Sequence, residues 1–478
     1  MAAKDQGDLP SGCQLYPLKQ YNVLPGPFQR NVLDPSFYTY SSAPPGELVA
    51  PLDPSKPFVV YHKDFLRIVG QNPTLDIIAS NEVGEGGDGY PLFHEAGVWI
   101  EETKEVIFTS NCNPEFRNLL GRIRLDALDG PSPQTLSTSW DLLHPAPSAP
   151  SLPPSVVASN GATLYRVGGK DHLLVCCQGT AEIPSNLSVV DPLTGASYPT
   201  LNNFHGRPFN AINDVVVLPP LAPVGREDED PDTSRTDLHD DPLTTIWFTD
   251  PTYASAQGYK GKPQMPCQVY CFTPATGDVR VVADGFSMPN GICFSPSGSH
   301  CYITDTGMVP GDGSIEPSRP GTIYVYDVVR PRPGEIDPRT EKEVDLTAVQ
   351  PRLENRKVFA FVDSGLPDGI KCDREGNVYS GTGEGVSVWN PHGTLLGKIV
   401  LFPSSSPSSP PALPSSLPRD FTNPAFKTRY CANFNFCPRG RLCILAEDRI
   451  YVAQLNRGEE GGKGAVEGAL LPAVKEPK

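Results

Sequence analysis

The amino-acid sequence predicts an all-β fold, a six-bladed β-propeller with long surface loop insertions. The chain has 478 residues, of which 54 are prolines and 44 are glycines, and these residues would interrupt long helices. Short apolar runs bounded by Gly, Pro, Asp or Asn recur along the chain. One frame is repeated six times: a polar residue, an apolar run, a short turn and a second apolar run. A repeated unit of this kind is typical of propeller blades.

The six copies of the frame follow each other at intervals of roughly 40 to 80 residues, as expected for blades with loops of variable length. They open at Glu95, Asn160, Asn213, Asn290, Asp368 and Ala432. The segment from Phe65 to Ala79 precedes the first copy. We expect it to supply the outer strand that closes the ring on the last blade.

The sequence predicts a single propeller domain over residues 57–456. We expect residues 1–56 to form an irregular N-terminal stretch and residues 457–478 to form a flexible C-terminal tail. The Pro/Ser-rich segments 129–155 and 403–418 and the acidic segment 225–241 are typical of flexible surface loops.

The charge and composition restrict the possible partners. A formal net charge of −16 argues against nucleic acid, because phosphate contacts need clustered Lys and Arg. No segment approaches the roughly 20 apolar residues that span a bilayer, and the N-terminus lacks a secretory pattern. Many of the cysteines lie within apolar runs and are typical of reduced, buried thiols. We therefore expect a cytoplasmic protein that acts on a small molecule, without a nucleic-acid or membrane partner; the sequence leaves the oligomeric state open.

The residues that open the copies predict a metal site. The first strand of each propeller blade lines the central channel, so its opening residue lies at one channel mouth. Five of the six opening residues carry a side-chain oxygen, and such oxygens suit hard divalent cations. The alternative interpretation is that Asn-Gly and Asp-Gly are ordinary turns. However, the hairpin turns of two copies lie downstream, at Ser297-Gly298 and Glu375-Gly376, and Glu95 begins a poor turn sequence.

At these positions the chain resembles the gluconolactonase/regucalcin (senescence marker protein) family, which is related to paraoxonases and diisopropyl-fluorophosphatase. The resemblance extends over residues 95–455. It is carried by four motifs in family order: His94-Glu95-Ala96-Gly97-Val98-Trp99; Asn213-Asp214-Val215-Val216-Val217 with Trp247-Phe248-Thr249-Asp250-Pro251; Pro289-Asn290-Gly291; and Pro367-Asp368-Gly369-Ile370. It implies one catalytic divalent cation, with Ca²⁺ favoured and Mg²⁺, Mn²⁺ or Zn²⁺ as alternatives. The ligands that it implies are Glu95, Asn213, Asn290 and Asp368.

Two departures from the family pattern bear on the substrate. The family's Glu-Gly-Pro is replaced by Glu-Ala-Gly in this chain, and Ala211 stands where regucalcin-like members have an arginine before the first Asn ligand. The resemblance implies that this arginine helps to bind sugar lactones. The absence of this arginine argues against a gluconate-type substrate. The sequence around these positions is more similar to the longer microbial and fungal lactonase branch.

Together, the residues and the resemblance predict a metal-dependent hydrolase that opens a lactone with a metal-activated water. Asp368 is the candidate catalytic group that takes the proton of this water, and His94 is the alternative base. The candidate pocket or supporting residues are Asn160, His94, Asn210, Asp250 and Asp305; Asp250 and Asp305 are equally well explained as caps of strand ends. Two alternatives stay open: hydrolysis of phosphotriesters or aryl esters at the same cation, and a propeller that binds a metabolite or partner without catalysis.

Overall fold

The protein is described by a computed structural model. The structure describes residues 9–16, 19, 22–23, 28–30, 38–40, 52–81, 90–111, 118–125, 128, 140–148, 156–220, 238–332, 334–363, 365–402 and 430–456. The predicted tail over 457–478 and the predicted loop over 403–418 lie outside these ranges, as do most of 129–155 and 225–241.

The chain folds into six blades, and each blade has four antiparallel strands that follow one another from the channel outwards. Blade I contains Glu95–Ile100, Glu105–Thr109, Leu120–Arg124 and Trp140–Leu143. Blade II contains Ser159–Val167, Lys170–Cys177, Asn186–Val190 and Ala196–Leu201. Blade III contains Val215–Leu218, Thr245–Asp250, Gln268–Thr273 and Asp278–Ala283. Blade IV contains Pro289–Phe294, His300–Asp305, Thr322–Val329 and Arg352–Phe361. Blade V contains Ile370–Cys372, Val378–Thr382, Gly385–Trp389 and Leu395–Val400. Blade VI contains Asn433–Cys437, Arg441–Ala446, Arg449–Gln454 and Thr74–Ser80. The predicted all-β, six-bladed fold is confirmed.

Short elements extend or connect the blades. Ala146–Pro147 pairs in parallel with the outer strand of blade II. Blade V is extended by the antiparallel strand Phe58–Val60 and then by the parallel strand Cys13–Leu15. Two separate hairpins pair Phe28–Arg30 with Tyr38–Tyr40 and Ile336–Asp337 with Lys342–Glu343. The described helices are Phe65–Val69 and Tyr253–Ala256, and neither they nor any other helix in the described ranges is long and apolar enough to cross a membrane.

The ring is closed by a strand from the N-terminal side of the chain. Thr74–Ser80 pairs with Arg449–Gln454 and becomes the outer strand of blade VI. The closing strand therefore lies in the segment where the sequence predicts it, whereas Phe65–Val69 in the same segment forms a short helix. The first blade after this strand is blade I, so the closure joins the beginning and the end of the ring.

The core lies between neighbouring blades, because each inner strand is covered on both sides. Tyr379 of blade V contacts Phe434 and Phe436 of blade VI, with ring centroids 6.4 and 5.1 Å apart. All three rings are buried. Such aromatic contacts stabilise the wedge-shaped space between two blades through apolar burial and edge-to-face packing. This packing fixes the inner strands, and with them the channel mouth.

Candidate functional site

The opening residues of blades I, II and IV lie at irregular points of the inner strands. In blade II the pairing slips between Ser159 and Ala162, and in blade IV it slips between Pro289 and Ile292. In each case an Asn-Gly pair lies within the slip. Blade I has a similar slip between Ala96 and Val98, directly after Glu95. These slips are β-bulges, which change the direction of a side chain, so the Asn-Gly pairs do not form hairpin turns.

The glycines after the opening residues are required by close packing between blades. A β-carbon on Gly161, Gly291 or Gly369 would lie 2.6, 2.4 or 2.5 Å from an atom at the start of the next blade. These distances are too short for any side chain. The Asn-Gly and Asp-Gly pairs therefore let neighbouring inner strands approach at the channel mouth.

Three threonines connect three of the six opening residues to the preceding blade. They lie near the ends of the second strands of blades I, III and IV, and each donates its hydroxyl proton to the backbone carbonyl that opens the next blade. The bonds run from Thr109 to Asn160 at 3.0 Å, from Thr249 to Asn290 at 2.6 Å and from Thr304 to Asp368 at 3.0 Å. These bonds fix the backbone of two predicted ligands.

The four predicted ligands open four blades at one end of the channel and are all buried. Their exposed fractions are 3% to 5% for Glu95, Asn213, Asn290 and Asp368. The Oδ1 atoms of Asn213, Asn290 and Asp368 are buried and have no hydrogen-bond partner among the described residues. Buried polar atoms normally have partners, so three unpartnered oxygens at one mouth indicate a place for a ligand.

Acidic side chains lie close together at this mouth. Burial raises the pKa of Glu95 to about 8, and the neighbouring Asp368 carboxylate contributes to this rise. Burial also raises the pKa of Asp368 to about 8; the hydrogen bond from Tyr430 opposes this rise, and the charge of Glu447 adds to it. A bound cation would reverse these shifts by stabilising both ionised carboxylates.

The donor set fits a hard divalent cation. Within the described residues, no three His, Cys, Asp or Glu side chains are arranged as a metal site. The predicted set instead combines the carboxylates of Glu95 and Asp368 with the amide oxygens of Asn213 and Asn290. All-oxygen sets of this kind suit Ca²⁺ or Mg²⁺ better than Zn²⁺, which favours His and Cys.

Blade VI contributes two residues that the repeat frame does not indicate. Its opening position is Ala432, but Asn433 donates its Nδ2 proton to Glu95 Oε2 at 2.7 Å. On the other side of Ala432, the Tyr430 hydroxyl donates to Asp368 Oδ2. In the sequence, Asn433 could have been found only by starting the last copy of the repeat frame one residue later, at Asn433 instead of Ala432.

Asn160 differs from the other two opening asparagines. Its Oδ1 accepts a hydrogen bond from the backbone N–H of Gly161 at 3.0 Å. The oxygen is therefore engaged within its own bulge, whereas those of Asn213 and Asn290 have no such partner among the described residues. Asn160 therefore stays a candidate supporting residue, apart from the four predicted ligands.

Asp250 and Asp305 perform the same local task in consecutive blades. Each carboxylate accepts hydrogen bonds from two backbone N–H groups, those of the residues three and two positions before a predicted ligand. These groups belong to Asn210 (3.0 Å) and Ala211 (2.8 Å) before Asn213, and to Ser287 (3.0 Å) and Met288 (2.8 Å) before Asn290. Both aspartates thus cap the segments that lead into the inner strands. The Asn210 amide donates to Met265 O at 3.1 Å and anchors the same segment.

His94 is mostly buried beside the predicted ligand Glu95. Its Nδ1 lies 2.8 Å from Oε1 of Glu447 in blade VI. Burial alone would lower the pKa of His94, but the charge and hydrogen bond of Glu447, together with the charge of Glu95, raise this pKa above its ordinary value. Glu447 carries no repeat signal in the sequence, and it determines which ring nitrogen of His94 remains available.

The fold and the opening motifs agree with a known family. The family model described as the SMP-30/Gluconolactonase/LRE-like region matches residues 159–308 and 336–412, which include the inner strands of blades II to V. Over these residues the chain is similar to that family. The motifs that carry Asn213, Asn290 and Asp368 lie inside the matched residues.

Two named relatives match most of the chain. Lactonohydrolase oryL of Aspergillus oryzae is 29% identical over 392 residues, which are 79% of this chain and 76% of the relative. Lactonohydrolase oryH of the same organism is 28% identical over 359 residues, with 69% and 70% covered. A gluconolactonase of Xanthomonas campestris has a solved structure with a TM-score of 0.51 and 20% identity; the match covers 84% of this chain and 95% of that one. It shares the fold.

Proposed function

We propose that the protein is a metal-dependent hydrolase that opens a lactone. The cation would be held by Glu95, Asn213, Asn290 and Asp368 at the channel mouth. The family, and two relatives named as lactonohydrolases, support the reaction type. The replacement of the family's arginine by Ala211 supports a substrate other than a sugar lactone; Ala211 is buried against Ala254 and Tyr259.

One observation carries the metal part of the proposal. The Oδ1 atoms of Asn213, Asn290 and Asp368 are buried without a hydrogen-bond partner among the described residues. Leaving a buried acceptor unsatisfied costs about 1 to 3 kcal/mol, and more when it is charged. Three such atoms from blades III, IV and V at one mouth would therefore destabilise the fold unless a shared ligand satisfies them. A hard cation satisfies amide and carboxylate oxygens together.

The chain's own residues have defined roles in this reaction. A divalent cation in this place supplies stabilisation of the developing oxyanion and lowers the pKa of the attacking water. Asp368 is the proposed acceptor of the water proton, through Oδ2, since its unpartnered Oδ1 would bind the cation; Oδ2 also accepts a hydrogen bond from the Tyr430 hydroxyl. His94 is the alternative acceptor, because Glu447 holds Nδ1 and leaves Nε2 available. Asp250 and Asp305 hold the segments before Asn213 and Asn290.

The first experiment measures bound metal and lactone opening in the same samples. Purified protein is analysed for metal content with and without chelator, and acid release is followed on alkyl lactones, gluconolactone and a phosphotriester. We expect about one metal per chain, lactone opening that chelator abolishes, and recovery with Ca²⁺, Mg²⁺, Mn²⁺ or Zn²⁺. Metal-free protein with unchanged activity would contradict the proposal. Turnover of the phosphotriester alone would favour the other hydrolase, and metal binding without any turnover would favour a binding propeller.

A matched pair of variants separates ligands from residues that only hold the fold. Asn290 and Asn160 both open an inner strand at an Asn-Gly bulge, but only the Asn160 oxygen is engaged locally. We expect Asn290→Ala to lose bound metal and Asn160→Ala to keep it. Equal metal content in the two variants would remove Asn290 from the ligand set.

A further inference from the structure

We propose that blade VI, which offers no ligand oxygen at its opening residue Ala432, sets how the two carboxylates bind the cation. Tyr430 and Asn433 lie on either side of Ala432, and each occupies one oxygen of a different carboxylate. They are therefore positioning residues that keep Asp368 and Glu95 as single-oxygen ligands. This inference rests on the proposed function, because it assumes a cation at the channel mouth.

The evidence for Asp368 is the contrast between its two oxygens. Oδ2 accepts a hydrogen bond from the Tyr430 hydroxyl, whereas Oδ1 is buried without a partner among the described residues. The Tyr430 ring is buried and packs with Met308 and Leu366, so its hydroxyl is held in place. A carboxylate held at one oxygen in this way presents the other oxygen to a ligand.

The evidence for Glu95 is the orientation of the Asn433 amide. The Asn433 side chain is only 1% exposed, and its Oδ1 accepts the backbone N–H of Phe434 at 2.8 Å. This contact assigns the oxygen end of the amide, so the NH₂ end must face Glu95. Nδ2 then donates to Glu95 Oε2 at 2.7 Å and leaves Oε1 as the oxygen that can face the cation.

The number of carboxylate oxygens affects which cation is favoured. Two single-oxygen carboxylates and the oxygens of Asn213 and Asn290 give four protein ligands, and waters or substrate can complete an octahedron. Mg²⁺ requires near-octahedral coordination, whereas Ca²⁺ accepts six to eight oxygens and readily takes both oxygens of one carboxylate. Freeing Asp368 from Tyr430 would permit two-oxygen binding, which benefits Ca²⁺ alone. The hydrogen bond from Tyr430 therefore shifts the site towards the smaller cation.

Dissociation constants for Mg²⁺ and Ca²⁺ alone, measured by calorimetry without substrate, test this inference. Removing such a supporting contact typically costs a metal site about 10-fold or more in affinity. We expect Tyr430→Phe to weaken Mg²⁺ binding by about 10-fold and Ca²⁺ binding by less, so that the ratio of the two constants moves towards Ca²⁺. Tyr259→Phe is the matched control, since the buried Tyr259 hydroxyl donates to Gln178, which is not a predicted ligand. Its ratio should equal that of the unmodified protein.

A second variant keeps the test decisive if Tyr430→Phe does not fold, as judged by circular dichroism. Asn433→Leu removes the donor to Glu95 and should move the ratio in the same direction. Unmodified protein that binds neither ion would overturn the proposed function and this inference together. Unmodified protein that binds metal and opens lactones, with the same ratio in folded Tyr430→Phe and Asn433→Leu, would overturn only the role of blade VI.

Discussion

Single residues at the channel mouth were predictable where they begin an apolar run, and unpredictable where they come from a neighbouring loop. Glu95, Asn213, Asn290 and Asp368 each precede an apolar run, so the repeat frame selects them. Asn433 escapes the frame because it lies one position after the opening residue Ala432. Tyr430 precedes the last copy of the frame, and no periodicity marks its contact with Asp368. Contacts of this kind depend on the closed ring, which a local pattern does not contain.

The choice between two candidate bases is a question about single residues. His94→Gln leaves all four predicted ligands in place, so metal content should stay at the level of the unmodified protein. If Asp368 accepts the proton, we expect kcat to fall by less than about 10-fold, since loss of a general base typically costs about 100-fold or more. Stopped-flow or pH-stat measurement of lactone opening, together with metal analysis, gives both quantities.

The control for this variant is His300→Gln, which changes an exposed histidine of blade IV whose Nδ1 lies 2.9 Å from the hydroxyl of Ser299. It should leave kcat unchanged. A fall of about 100-fold or more in His94→Gln, with metal retained and the control unaffected, would assign the proton transfer to His94 and contradict the role of Asp368.

At the scale of elements, the sequence could not distinguish a turn from a bulge. Asn-Gly and Asp-Gly serve both, because both need a residue that permits unusual backbone angles or close approach. The distance to the next blade distinguishes the bulge from the turn. A β-carbon on Gly291, for example, would lie only 2.4 Å from Asp368 O. The same is true of Asp250 and Asp305: the sequence allowed either a pocket or a capping role, and the structure shows them capping backbone N–H groups.

The connection between blades IV and V should depend on the Thr304 hydroxyl. This hydroxyl accepts the N–H of Gly291 at 2.7 Å and donates to Asp368 O at 3.0 Å. Thr304→Val keeps the shape but leaves both buried backbone groups without this partner, at a cost of about 1 to 3 kcal/mol for each. We expect a lower unfolding free energy in urea. Thr304→Ser keeps the hydroxyl and should lose much less; equal losses in the two variants would show that packing of the methyl group, not the hydrogen bonds, joins the blades.

At the scale of the molecule, the number of blades follows from counting copies of the frame, and the closing strand follows from the apolar segment left over before the first copy. The added strands Cys13–Leu15 and Phe58–Val60 on blade V carry no repeat signal, because each is only three residues long. Long-range pairing decides whether such short runs become strands. The sequence thus predicts the number of blades and the ring closure better than the strands added at the outer edge.

Closure of the ring can be tested with two neighbouring residues of the strand Thr74–Ser80. Ile78 is 2% exposed and belongs to the core shared by blades VI and I, together with Phe93 and Trp99, whereas Ile77 is 38% exposed. Ile78→Asp buries a charge in this core and should cost more than about 3 kcal/mol. It should also release the strand to limited proteolysis and weaken metal binding, because blades I and VI hold Glu95 and its partner Asn433. Ile77→Asp places the same charge on the exposed face and should change each measurement little. Similar losses in both variants would mean that any charge on this strand is harmful, and that the buried closure is not what holds the channel mouth together.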